Sequence, residues 1–149
     1  MPTRQTIEKS RRAARQGKAP TTQAGEFVRE EIDHVRGGKH GARNTKQTIA
    51  IGLSKARRAG VPLPPPRKGT ASEQTRRKAK QDDAIGSSKA KPKPSPKRSR
   101  ATLGALKREG KAAASPAALS RQAKSAAARR KKRSSTTGTQ RRDRRSSRA

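Results

Sequence analysis

The 149-residue chain carries 41 lysines and arginines against 10 aspartates and glutamates, a formal net charge of +31 at pH 7. Such an excess of positive charge favours a polyanionic partner, and nucleic acid is the abundant polyanion of cells. The absence of cysteine excludes disulfides and thiolate metal sites. No apolar run is long enough to predict a membrane span.

Large apolar side chains are scarce, since leucine, isoleucine, valine and phenylalanine together make up only fourteen residues. This proportion is typical of chains that cannot bury enough apolar surface to offset the conformational entropy of folding. The composition therefore predicts a mostly disordered protein with short α-helices, one marginal helical hairpin and no β-sheet. Because so little apolar material can wall a pocket, we expect no enzymatic activity and no cofactor.

Residues 1–21 are interpreted as a basic N-terminal arm. Thr3 is a suitable N-cap and Gly17 a suitable C-terminal stop for a short helix. Ile7 is the only large apolar side chain of this helix, so we expect it to fray for want of a packing partner.

Residues 22–63 are predicted to form the hairpin module, and its first helix has the clearest amphipathic pattern in the chain. With Thr22 as a plausible N-cap, Val28, Ile32 and Val35 recur at i, i+4 and i+7, and Phe27 widens the stripe. The pair Gly37-Gly38 that follows can end the helix in a left-handed conformation.

The second helix of the module is predicted to start at Asn44, with Gln47 placed to complete a capping box. One helical stripe then holds small and apolar residues, and Gly60 ends the helix. The two helices are separated by about seven residues, a length typical of an antiparallel pair. The predicted inner positions of the second helix are Ile49, Gly52, Leu53 and Ala56.

The remainder of the chain is predicted to be a linker followed by a tail. Residues 64–98 form a Pro/Lys-rich linker with one weak polar helix, because prolines interrupt helices and lysines extend the chain. Residues 99–149 form an Ala/Lys/Arg/Ser-rich basic tail with inducible helices, of which the best start is Ser115 as N-cap with Pro116 at the first helical position. Residues 84–149 contain twenty-one lysines and arginines against Glu109 and Asp143, a net charge of about +19.

The acidic residues and histidines in the first helix of the module and in the loop after it do not predict a catalytic or metal site. Glu30, Glu31 and Asp33 are consecutive or nearly so, point to different faces and are expected to be solvated acids. His34 and His40 lack a cysteine or a suitably spaced carboxylate, so we expect no metal and histidines that face solvent or phosphate.

The cationic residues predict contacts with nucleic-acid phosphates. Phe27 is the only aromatic residue, so a duplex or folded RNA backbone is a better target than unstacked bases. Sequence-specific reading is not expected, because helix-turn-helix motifs use a tighter turn and a third helix. The predicted contacts are Arg36, Lys39, Arg43, Lys46, Lys55, Arg57 and Arg58 in the module, and Lys91, Lys93, Lys97, Arg98, Arg100, Arg129, Arg130, Lys131, Lys132 and Arg133 in the linker and tail.

Residues 25–66 resemble the shared block of a family of small basic bacterial proteins of unknown function, most recognisably in the string KQTIAIGLSKARRAG at residues 46–60. This resemblance implies a bacterial source and indicates no function beyond loosely described DNA binding. The tail is similar in composition to linker-histone tails, and the Ser-Pro-Lys-basic unit of those tails occurs once, at residues 95–98.

Together these patterns predict a histone-like protein that binds nucleic acid, most readily duplex DNA, without sequence preference and compacts it in the bacterial nucleoid. Two alternatives remain open. One is an RNA- or ribosome-associated basic protein in the cytoplasm. The other is an adaptor whose hairpin binds a protein or a second copy while its tail anchors to a polyanion.

Overall fold

The computed structural model describes the backbone of residues 1–88 and 95–146 and the side chains of residues 1–88 and 95–132. The chain divides into two compact units, Met1–Ala114 and Ser115–Ala149. The described backbone contains an isolated bridge between Lys68 and Ala71 but no strand. Its helices are α1 (Arg4–Arg15), α2 (Pro20–Arg36), α3 (Thr45–Arg58), α4 (Glu73–Ser87), α5 (Pro96–Arg108), a 3-10 turn (Ala112–Ala114) and α6 (Pro116–Ser146).

The prediction of a mostly disordered chain is wrong, because six α-helices account for most of the described residues. The prediction counted only large apolar side chains as core material. The buried residues of the first unit are instead rich in alanine, with buried threonine, glutamate and aspartate beside them. Small residues let helix backbones approach closely, so packing can be dense although few large side chains are present.

Helices α2 and α3 form the centre of the first unit and pack against each other as an antiparallel pair. A Cβ atom built on Gly52 of α3 would lie 2.7 Å from the Cα of Val28 in α2, so the two backbones touch where glycine stands. Asn44 caps α3, accepting a hydrogen bond from the Gln47 amide at 2.9 Å, as predicted. Helix α2 starts at Pro20 rather than after Thr22, because proline fits the first helical position.

One end of the α2–α3 pair is closed by an apolar cluster that also fixes α1. Ala24 and Phe27 of α2 meet Ala56 of α3, and Ile7 packs against this cluster. The expectation that Ile7 has nothing to pack against is therefore wrong. Thr3 caps α1 as predicted, and its backbone amide donates to Glu30 Oε1 at 2.9 Å, which joins the start of α1 to α2.

The other end of the pair is closed by the 3-10 turn. Val35 and Ala42 are buried together with Ala113 and Ala114 of that turn. The Thr45 hydroxyl donates to the Ala113 carbonyl at 2.7 Å. The predicted module of residues 22–63 is thus extended by a segment that the sequence placed in the tail.

Helix α4 is a second addition to the predicted module, because it packs on α3. Its Asp82 is buried and accepts a hydrogen bond from the Ser54 hydroxyl of α3 at 2.6 Å. Close to the end of α4, Gly86 lies against the carbonyl group of Arg57 so tightly that a Cβ would collide with it. The three prolines at residues 64–66 therefore lie within the unit rather than at its end.

The second unit contains α6, a 31-residue helix with apolar and polar residues spread evenly around its axis. At 1.5 Å per residue it is about 46 Å long. Ser115 accepts a hydrogen bond from the Ala118 amide at 3.3 Å, and Pro116 begins the helix, as the sequence predicts. Among the described residues, no helix combines the length and apolar character that crossing a bilayer needs.

Candidate functional site

A group of titratable side chains lies inside the first unit, between α2, the loop that follows it and α3. Four residues, which we call the Glu31 cluster, make up this group: Glu31 and His34 on α2, His40 in the loop, and Lys55 on α3. The side chain of Lys55 reaches Glu31 across the α2–α3 pair. The sharp turn at Gly38, which has a positive φ of 75°, precedes His40.

Glu31 is the centre of the cluster, and its side chain is 0% exposed. Lys55 Nζ contacts its Oε2 atom in a hydrogen-bonded ion pair. The other oxygen, Oε1, lies 3.1 Å from His40 Nε2 and has no partner in hydrogen-bond geometry. A buried carboxylate oxygen without such a partner is costly, so this atom has unused capacity to bind a donor or a cation.

Both histidines are largely enclosed, with side chains 14% exposed for His34 and 10% for His40. His40 Nδ1 lies 3.0 Å from the Gly41 carbonyl oxygen, whereas its Nε2 faces Glu31. His34 has its Nδ1 3.9 Å from Glu31 Oε2 and its Nε2 3.7 Å from Glu30 Oε1. The expectation that the histidines face solvent or phosphate is therefore wrong.

Burial lowers the pKa of His34, and the positive charges of Lys55 and Lys39 lower it further, against smaller opposing effects of Glu30 and Glu31. A lowered pKa favours the neutral imidazole at neutral pH. A neutral imidazole is the form that acts as a base or a metal ligand.

One ligand atom from each of Glu31, His34 and His40 lies within 4.8 Å of the others, which is close enough to suggest a shared cation. The sequence contained a signal for this arrangement that our interpretation missed. Glu31 and His34 are three residues apart in a helix and so lie on the same face, as in the Glu-x-x-His pairs of bundle metal sites. The location of His40 depends on the loop conformation, which no periodicity reveals.

Glu30 and Glu31 are also not the solvated acids that their spacing suggested, whereas Asp33 is exposed as expected. Of the nine acidic residues whose side chains the structure describes, three are buried: Glu30, Glu31 and Asp82. The described surface therefore shows fewer carboxylates to neutralise its lysines and arginines than the composition indicates.

The seven cations predicted in the module have different surroundings. Arg57 is 7% exposed and donates to the carbonyls of Leu63 and Pro64, at 3.2 and 3.3 Å, while Arg36 Nε donates to the Ala114 carbonyl at 2.8 Å. Lys55 belongs to the Glu31 cluster. Of the other four, Arg58 is half-buried and three are exposed: Lys39, Arg43 and Lys46.

Most of the predicted cations outside the module lie on exposed helix surface. Lys97, Arg98 and Arg100 project from the first half of α5, a helix without an acidic residue. Arg133 belongs to α6, but its side chain lies outside the described residues, as do Lys91 and Lys93 entirely. A second exposed group is on α6: Arg129, Arg130, Lys131 and Lys132.

Comparison with known protein families shows that residues 3–68 are similar to DUF6496, a family of unknown function. This segment contains α1, α2 and α3, and it includes the block in which the sequence resembled an uncharacterised family. The match is thus consistent with the predicted resemblance to an uncharacterised family, and it assigns no activity to the chain. No curated protein and no solved structure shows significant similarity to the chain.

Proposed function

We propose that this protein binds the sugar-phosphate backbone of nucleic acid, with duplex DNA as its main target and without sequence preference. The observation that carries the proposal is the imbalance of surface charge. The chain has 41 lysines and arginines against ten acids, and three of the nine acids with described side chains are buried. Cations that displace condensed counterions from a duplex gain affinity without contacting any base.

The helices add a geometric reason for this proposal. Helices α5 and α6 hold their exposed cations on rigid segments, and between Ser115 and Lys132 there are six lysines and arginines and no acid. A rigid cationic helix loses less conformational entropy on binding than a flexible chain does. We therefore assign the principal contacts to two groups of residues: Lys97, Arg98 and Arg100 on α5, and Arg129, Arg130, Lys131 and Lys132 on α6.

Within the first unit, Lys39, Arg43 and Lys46 are the proposed additional contacts; Arg43 Nε lies 3.8 Å from Glu109 Oε1, but its side chain is 79% exposed. Arg36, Lys55 and Arg57 are left out because their charged groups bond to backbone carbonyls or to Glu31. The compositional similarity of the tail to linker-histone tails supports the same assignment, and DNA compaction in a bacterial nucleoid is the role that we propose for it.

The proposal is tested by the salt dependence of binding to a fluorescent duplex of random sequence. Log K should fall linearly with log of the KCl concentration, with a slope of about −0.9 for each phosphate contact. For 6–10 contacts the affinity should fall roughly 10³- to 10⁵-fold between 50 and 200 mM salt. Affinity that does not change with salt would contradict backbone binding.

A pair of matched double variants tests the assigned residues. Arg98→Gln with Arg100→Gln should reduce the salt slope by about 1.8, since two contacts are lost. Arg76→Gln with Arg77→Gln removes the same charge from residues that already pair with Glu73, at 2.6 and 3.5 Å. This control should change the slope much less. Equal slopes in the two variants would reject the assigned contacts.

Competition separates DNA from the RNA alternative. Unlabelled duplex DNA should displace the labelled duplex at lower concentration than a structured RNA with the same number of phosphates. Stronger competition by the RNA at every salt concentration would favour the ribosome-associated or RNA-associated role instead.

A further inference from the structure

The geometry points to a binding site for a divalent transition-metal ion, with Zn²⁺ as the best-matched ion, formed by Glu31, His34 and His40. This site is independent of nucleic-acid binding, because its ligands are enclosed in the first unit. It would link α2 to the loop that leads into α3, and its role would be to fix that loop.

The donor atoms identify the class of ion. Two imidazole nitrogens and one carboxylate oxygen form a set that zinc sites use, with a fourth position for water or another ligand. Mg²⁺ and Ca²⁺ prefer oxygen ligands alone, so the two histidines disfavour them. The chain contains no cysteine that could make the site a thiolate site.

The spacing of the ligands is close to that of a coordinated ion. Zinc bonds of about 2.0–2.1 Å at tetrahedral angles separate neighbouring ligand atoms by about 3.3 Å. Glu31 Oε1 and His40 Nε2 are 3.1 Å apart, and all three ligand atoms lie within 4.8 Å of one another. His34 Nδ1 lies 3.9 Å from the other Glu31 oxygen, Oε2, so the third ligand atom is somewhat farther away than in a coordinated ion.

The buried Oε1 atom of Glu31, which has no hydrogen-bond partner, is a second observation that favours a bound cation. Oε1 is buried on a side chain with 0% exposure and accepts no hydrogen bond, and Oε2 of the neighbouring Glu30 is also buried without a partner. A cation would provide a partner for the buried Glu31 oxygen. Carboxylates on a helix surface need no such partner, because water solvates them.

The surroundings of the histidines are those of metal ligands. A ligating histidine generally donates its second N–H to a carbonyl or carboxylate, which fixes the orientation of the ring. His40 places Nδ1 3.0 Å from the Gly41 carbonyl and leaves Nε2 toward Glu31. His34 has its Nε2 near Glu30, at 3.7 Å from Oε1, and its Nδ1 toward Glu31.

Lys55 limits the affinity of the site. Its ammonium group already neutralises the negative charge of Glu31 through Oε2. A divalent cation would therefore be repelled by Lys55, which weakens its binding. The same contact holds the carboxylate so that Oε1 faces His40, while His34 Nδ1 lies on the side of Oε2. Lys55 is therefore a positioning residue rather than a ligand.

The test is zinc binding by the full chain, purified free of nucleic acid, with ZnCl₂ as the probe. Isothermal titration should give one ion per chain, and saturating zinc at about 100 times Kd should raise the melting temperature by roughly 5–10 °C. Because the chain has only two histidines, NMR should show both imidazoles shifting together during the titration. Zinc that leaves both imidazole signals unchanged would overturn the site.

Variants locate the ligands. His40→Gln and His34→Gln should each weaken zinc binding at least tenfold, and Asp33→Asn, an exposed neighbour on α2, should leave it unchanged. Glu31→Gln should also lose binding, but it removes the partner of Lys55 and can unfold the chain. His40→Gln, in the loop, keeps the test decisive in that case. Full zinc affinity in His40→Gln would show that zinc binds without His40, and would overturn the site.

Discussion

At the scale of single residues, Gly52 decides how closely α2 and α3 pack. Its missing side chain leaves room for the Val28 backbone, and a Cβ there would approach the Val28 Cα to 2.7 Å. Such a contact lies far below the ordinary separation of carbon atoms, which is about 3.5–4.0 Å. The glycine is thus required by packing and not by backbone conformation.

Substitution of Gly52 by alanine should therefore destabilise the protein by about 1–3 kcal/mol, because the two helices must separate. Gly25, within α2, is the matched control, since a Cβ there would meet nothing within 4 Å. Gly25→Ala should raise stability by about 0.5–1 kcal/mol through its better helix propensity. Thermal or urea unfolding of both variants measures the difference, and an unchanged Gly52→Ala protein would contradict the close packing.

The same glycine shows what the sequence could reveal about the core. The helical stripe of Ile49, Gly52, Leu53 and Ala56 was recognised, and Gly52 and Ala56 are indeed buried. The sequence predicts only a marginal hairpin because a count of large apolar side chains ignores the stabilisation gained from close backbone contact. Buried Glu31 could not be predicted, because its burial depends on Lys55 and His40 from other segments.

At the scale of secondary-structure elements, a buried polar contact holds α4 against α3. The helix has no broad apolar face that could do so. Asp82 is 1% exposed and bonds to Ser54, and Lys78 Nζ lies 3.2 Å from its Oδ1 atom. The sequence of α4 contains Ile85 as its only large apolar residue, and for that reason it predicts only a weak helix in a linker. Periodicity cannot detect a helix docked through a carboxylate.

Asp82→Ala should loosen α4 while the α2–α3 pair remains folded, because it removes the acceptor of the Ser54 hydroxyl. The cost should be about 1–3 kcal/mol. Hydrogen exchange should speed up for the α4 amides and stay nearly the same for the amides of α2. Asp83→Ala, one residue further along and only half-buried, is the control and should leave the exchange of both helices unchanged. Equal exchange in the two variants would contradict a docking role for Asp82.

At the scale of the whole molecule, the division after Ala114 separates a packed unit from a cationic helix. The sequence placed boundaries at residues 21, 63 and 98 from changes in composition. The observed division falls later because the alanines of the 3-10 turn pack on Val35, and three alanines in a basic region carry no sequence signal for such a contact. The charge distribution, in contrast, could be read directly from the composition.

A chain that ends at Ala114 should keep the unfolding temperature of the first unit and lose much of the nucleic-acid affinity. Residues 115–149 contain twelve of the 41 lysines and arginines and only one acid. The salt slope of DNA binding should accordingly become shallower, by about 0.9 for each lost phosphate contact. Calorimetry and the fluorescence titration measure the two effects. A large fall in unfolding temperature would show that the second unit supports the fold of the first.

The hydrogen bonds from Thr45 to Ala113 and from Arg36 to Ala114 join residues 68 and 78 positions apart, whereas the packing of α1 on α2, of α2 on α3 and of α3 on α4 joins consecutive helices. On the ribosome, α2 and α3 are complete by residue 58, well before the 3-10 turn is made. At about 5–20 residues per second, roughly 3–11 s of translation pass before Ala113 and Ala114 can cover Val35. The nascent hairpin therefore displays an open apolar end to chaperones and to other chains during that interval.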